Sequence, residues 1–145
     1  MNTFHKLCVP GLLAVVAVCT AAQQQSTVIK TEAAPATSAA SGSEMYKSYC
    51  AACHGKDGKG DGPAATALKS APSDLTTLAK RNNGKYPAPR VASILRGQEK
   101  LVSHDDQEMP IWGPVFRSID ISAPSHIVDL RIVNLNKYLE SLQGD

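Results

Sequence analysis

The sequence predicts an all-α fold, and three observations carry that prediction. Val128, Ile132, Leu135, Leu139 and Leu142 recur at steps of four and three residues, the mark of a helix with one buried stripe. Gly42, Tyr46 and Cys50 fall at intervals of four and share one face of an earlier helix. No apolar–polar alternation runs longer than four residues, so no strand is expected.

A chain of 145 residues suffices for one domain with a modest core. Its beginning is not core material. Met1 to Lys6 is a short, weakly basic start, and from Leu7 to Ala22 the chain is apolar or small, interrupted by Pro10, Gly11 and Thr20. That run is short for a membrane span of about 20 residues and matches a secretory signal. Thr20-Ala21-Ala22 offers the small residues a signal peptidase requires, and cleavage before Gln23 is the preferred reading. Two other fates stay open. Cys19 follows Val16-Ala17-Val18, a loose version of the lipoprotein box with Val18 where a small residue is usual, and the segment could also stay in place as an anchor. The mature protein is thus expected in the periplasm, free or membrane-tethered.

Residues 23–40 are rich in Ala, Gln, Ser and Thr, with almost no large apolar side chain. Such a stretch cannot bury enough surface to offset the entropy of ordering, so it reads as a flexible linker. The folded domain is expected over 41–145.

Of four cysteines, Cys8 and Cys19 lie in the export segment. The other two stand in Cys50-Ala51-Ala52-Cys53-His54, the C-x-x-C-H pattern of covalent haem attachment. Two thiols three positions apart in a helical turn reach the two vinyl groups of a porphyrin, and the adjacent imidazole is presented to the iron. The rival readings are weaker. A redox disulfide would normally sit near a βαβ pattern, a zinc site needs further ligands at a familiar spacing, and a structural cysteine pair leaves His54 unexplained. One haem c, with its iron, is the expected cofactor.

The other face of the iron also needs an occupant. Met109 precedes Pro110 in Glu108-Met109-Pro110-Ile111-Trp112-Gly113, on a predicted loop that can aim a side chain inward. A thioether pairs a soft sulfur with iron and raises the reduction potential, whereas an open site binds gases or peroxide. His104, on the same approach, is the main rival. Met45 lies about one turn before the motif and cannot easily reach the opposite face, and His126 at a helix start is expected to be exposed or capping. The expected set is Cys50, Cys53, His54 and Met109, with His54 and Met109 on the iron.

With these residues in view, the segment from Gly42 to Gln143 resembles a class I c-type cytochrome of the bacterial monohaem kind. The resemblance implies crossed N- and C-terminal helices around one covalently bound haem. Gly42 and Tyr46 match the glycine and aromatic of that family's first helix, the glycine letting the last helix cross closely. Leu135 and Tyr138 match the apolar–aromatic pair that packs on them. The resemblance also implies a proline carbonyl that accepts a hydrogen bond from the haem histidine, and Pro63, after Gly58, Gly60 and Gly62, is the match for it.

The remaining elements rest on local signals. Ser73-Asp74 caps a short helix through Leu78, and Pro89 opens another through Leu95 that Gly97 ends. Val91, Ile94 and Leu95 are expected to face the haem or the core. Ser122 or Ser125 caps the last helix and Gly144 ends it. Trp112, the single tryptophan, is expected against the porphyrin, and Arg90 and Arg96 are expected at the surface rather than on propionates.

Charge says less. Seven basic residues between Lys69 and Lys100 face Asp74 and Glu99, and from Leu101 to Asp120 the balance reverses, with Asp105, Asp106, Glu108 and Asp120 against Arg117. This reads equally as a dipole that orients the protein on a partner or as a solvated surface. A net charge of +2 without basic–aromatic interleaving argues against nucleic acid. A closed, six-coordinate iron implies an electron carrier rather than an enzyme, expected to be a monomer that meets redox partner proteins briefly. Two alternatives stay open: a haem subunit of a larger oxidoreductase, or a peroxidase or gas-binding domain if Met109 does not ligate.

Overall fold

A computed structural model describes residues 34–99 and 109–144. The segment read as an export signal, with Cys8 and Cys19, most of the stretch read as a linker, His104, and the acidic run Asp105, Asp106 and Glu108 lie outside the described residues. Among the described residues all regular structure is helical.

The first helix, α1, is built of three consecutive runs, Gly42–Met45, Tyr46–Cys50 and Ala51–His54. Ser41 caps it by accepting from the Glu44 backbone N–H at 3.2 Å, and Glu44 Oε2 accepts in turn from the Ser38 N–H. The middle run is π-helical. A widened turn adds a residue to the helix and rotates the residues beyond it, and such turns cluster at functional sites. Here it ends on Cys50, the first residue of the haem motif. Gly55, at φ +80°, ends the helix in a conformation that L side chains rarely adopt.

The chain then winds through short 3₁₀ turns at Ala65–Ala67, Leu75–Thr77 and Lys80–Asn82. The middle turn stands where the sequence predicts a helix from Ser73-Asp74 to Leu78, and it is shorter. Asp74 does cap it, accepting from the Thr76 N–H at 2.8 Å and the Thr76 hydroxyl at 2.6 Å. Leu75 N donates instead to Gly58 O at 2.6 Å, which ties this turn to the loop after the motif. Helix α2, Ala88–Arg96, has Pro89 in its first turn and Gly97 at φ +77° as its cap, and it buries Val91 and Leu95.

Helix α3, Trp112–Ile119, has no counterpart among the elements the sequence predicts. Trp112 and Phe116 are buried one turn apart, and Pro114 falls in the first turn, where its missing N–H costs nothing. Helix α4, His126–Ser141, carries the expected stripe: Ile132, Leu135 and Leu139 are buried, with Val128 and Leu142 packed at its ends. Ser125 takes the N-cap position, but its side chain makes no capping bond. Gly144 lies beyond the Leu142 cap, and its N–H donates to Thr76 O at 3.1 Å.

Helices α1 and α4 cross at Gly42. A Cβ there would run into the Asn134 carbonyl oxygen and lie 2.8 Å from Tyr138 Cβ, so only glycine admits this approach. The Tyr46 and Tyr138 rings meet beside it, with centroids 5.3 Å apart, and Leu135 is wholly buried. The crossing implied by the family resemblance is present.

The packed chain begins earlier than Ser41. The Tyr49 hydroxyl donates to Pro35 O at 2.6 Å, Asn134 Nδ2 donates to Ala39 O at 2.9 Å, and Thr37 is buried against Arg131. Composition assigns these residues to the linker because their own side chains are small and polar. The hydrogen bonds that hold them come from distant helices.

Candidate functional site

The second half of α1 forms one wall of an apolar cleft. Cys50 is buried, Cys53 and His54 are half-buried, and all three line the cleft. Both thiols are free of disulfide bonding. Burial pushes the Cys50 thiol up to about 12, and the nearby Cys53 adds to the shift. Cys50 is therefore a protonated thiol at neutral pH, held among apolar neighbours.

His54 is oriented by a later stretch of chain. Its Nδ1 lies 3.0 Å from the Ser73 carbonyl oxygen. A carbonyl can only accept, so Nδ1 carries the hydrogen, and in the neutral ring this leaves Nε2 as the nitrogen with the lone pair that a metal needs. This corrects the assignment of the accepting carbonyl to Pro63. Gly62 N and Ala64 N donate to Cys53 O and Ala52 O, which lays Pro63 along the backbone of α1, where it is exposed. The carbonyl that meets the ring comes from ten residues further on, after Pro72.

Opposite elements complete the cleft. Leu68, Leu75 and Leu78 come from the turns, Val91, Ile94 and Leu95 from α2, and Leu139 from α4. Met109 and Pro110, in the irregular stretch before α3, line the same cleft, as does Trp112. Trp112 stacks with Tyr49 at 5.6 Å and Phe116 at 5.8 Å between ring centroids. Cys50, Cys53, His54 and Met109 are thus brought together. Met45 is fully buried in the core and does not line the cleft, and His126 is exposed at the start of α4. Arg90 pairs with Glu99 at 2.7 Å and Arg96 with Asp129 at 3.2 Å, and neither lines the cleft.

Sequence reasoning missed Tyr49, Ser73, Leu75 and Leu78 as cleft residues. Tyr49 is detectable in retrospect, since it stands three residues after Tyr46 and directly before Cys50. Ser73 carries no side-chain signal, because its backbone oxygen makes the contact.

The residues fit a covalently held haem. The cleft is walled almost wholly by apolar side chains, as sites for large apolar ligands are. Two free thiols and an imidazole of the right tautomer stand on one wall, with a thioether lining the same space. Among the described residues no group of three or more His, Cys, Asp and Glu side chains gathers as a metal site of the zinc kind.

Comparison with known families agrees. Residues 37–123 match the family described as cytochrome C oxidase, cbb3-type, subunit III. No curated protein and no solved structure matches the chain. The matched stretch contains the haem motif, Ser73, Met109 and α3, and the chain belongs to this family of class I c-type cytochrome domains, which bind haem c covalently and transfer electrons through its iron.

Proposed function

We propose that Cys50 and Cys53 hold the haem through thioether bonds, that His54 and Met109 ligate its iron, and that the protein passes single electrons between redox partner proteins outside the cytoplasm. The observation that carries this reading is that these four side chains, three from α1 and one from the approach to α3, line one apolar cleft. The haem supplies a one-electron couple. The chain's own residues do the rest: the thiols tether, the Ser73 carbonyl orients His54, and the apolar walls keep water from the ring.

If His54 and Met109 both held the iron, no coordination position would be left for a substrate, and the protein would act as an electron carrier rather than an enzyme. The family description names an oxidase subunit, and this favours a second reading in which the domain serves as the haem subunit of a larger oxidoreductase. Among the described residues no helix is long and apolar enough to cross a membrane. Association through the residues before Pro35, by a retained segment or a lipid on Cys19, is the tether this reading requires.

The deciding experiment is the visible spectrum of protein matured in an export-competent host. A sulfur-to-iron band in the ferric form and indifference of the ferrous form to carbon monoxide are expected, and Met109→Ala should abolish both. Carbon monoxide binding by the parent protein would overturn the carrier reading in favour of a gas-binding or peroxidatic haem. A spectrum altered by His104→Ala and unmoved by Met109→Ala would transfer the ligand role to His104.

A further inference from the structure

The carbonyl that meets His54 stands just ahead of a short stretch of chain, Leu75 to Ala79, that is held at both ends by a side chain from the far terminus. Gln143 Nε2 donates to Leu75 O at 2.8 Å, and its Oε1 accepts from Ala79 N at 2.9 Å. The same Nε2 donates to Leu139 O at 2.7 Å, which fixes the amide on the last turn of α4. Ser73 lies two residues before this clamped stretch. Asp74, the next residue, is pinned on its side-chain oxygen by the Thr76 N–H and hydroxyl, and its carbonyl accepts from Arg81 Nη2 at 2.7 Å. Gly144 N, bonded to Thr76 O, adds a second strand of attachment.

We infer that Gln143 is a positioning residue for His54, acting through the Asp74-capped turn Leu75–Thr77 to aim the Ser73 carbonyl at Nδ1 and so to set the reduction potential of the haem. The inference rests on His54 being the iron ligand. A hydrogen bond from Nδ1–H makes Nε2 a stronger donor and stabilises the ferric state. A loosened turn lengthens that bond, weakens the donor and raises the potential. Gln143 reaches the cleft through its bonds to this turn and to the end of α4. Its long reach, more than sixty residues along the chain, explains why local sequence does not announce it.

The test uses the full-length, haem-loaded protein and two readouts. The reduction potential is measured by spectroelectrochemical titration, and exchange of the His54 Nδ1 hydrogen with solvent is followed by NMR in the diamagnetic ferrous form. Gln143→Ala and Asp74→Ala are expected to raise the potential and speed the exchange. Asp74→Asn, which keeps an oxygen for the Thr76 donors, should restore parental values. Val128→Ala, on the other end of α4, controls for lost stability alone. If Gln143→Ala lowers the melting temperature as Val128→Ala does while exchange is unchanged, the clamp is only structural and the inference falls. If exchange quickens with no change in potential, the inference falls for a different reason: His54 is not the ligand. Should Asp74→Ala fail to mature, the same comparisons are made with Gln143→Ala and Gln143→Glu, the latter lacking the donor to Leu75 O.

Discussion

Arg131 Nη1 and Nη2 donate to the hydroxyl and the carbonyl of Thr37, at 2.9 and 2.8 Å, and both residues are buried. The Tyr49 hydroxyl gives its hydrogen to Pro35 O, so the Thr37 hydroxyl donates to Tyr49 at 2.8 Å. A guanidinium on α4, a strap of chain before α1 and a wall residue of the haem cleft therefore form one connected network. Among the described residues this guanidinium has no carboxylate partner, so its hydrogen bonds to Thr37 offset much of the cost of burying its charge.

Loss of this network should be measurable as coupling. Arg131→Ala is expected to destabilise the loaded protein by about 2 kcal/mol, the scale of a lost charge-assisted hydrogen bond. Combined with Thr37→Val in a double-mutant cycle, denaturant titrations should give a coupling of about 1 kcal/mol. Additive effects would mean that the Thr37 hydroxyl contributes nothing through Arg131.

Gly42→Ala should be far more damaging than an alanine usually is in a helix. Its methyl collides with the Asn134 carbonyl, which belongs to the helix backbone and cannot swing aside. Parting α1 from α4 is expected to cost about 3 kcal/mol. A melting temperature indistinguishable from the parent's would show that the two helices can part at no cost.

Arg90→Ala provides the contrast. The Arg90–Glu99 pair is exposed, with 62% and 36% of the two side chains accessible, and such pairs are worth about 0.5 kcal/mol or less. Because Arg90 lies off the cleft, the potential should also stay at its parental value. A clear shift in potential would place Arg90 near a propionate after all.

Stability should fall on both sides of neutrality, through different residues. The Thr76 hydroxyl and N–H hold the Asp74 carboxyl below its ordinary 3.8, so its contribution is present above that value and disappears as pH falls through the lower folded pKa. Burial raises the Tyr46 phenol above its ordinary 10.0, where it donates to Gly55 O at 2.7 Å. Its contribution is complete below 10.0 and is lost as pH climbs above it. Asp74→Asn should flatten the acid limb and Tyr46→Phe the alkaline limb in denaturation curves taken across pH. An acid limb unchanged by Asp74→Asn would assign it to other carboxylates.

What was legible in the sequence is what neighbours along the chain encode. The haem motif is five consecutive residues, and the stripes of α1 and α4 are periodicities of three and four, so cofactor, helices and their crossing at Gly42 came from local pattern and family resemblance. Helix α3 was hidden because Pro114 suppresses its propensity, although a first turn tolerates it. Only the tertiary structure decided which carbonyl faces His54, that Thr37 belongs to the packed domain, and that Gln143 bonds Leu75 and Ala79. Each of these rests on a hydrogen bond between residues far apart in sequence and on backbone atoms that every residue type carries, so composition and spacing leave no trace of it.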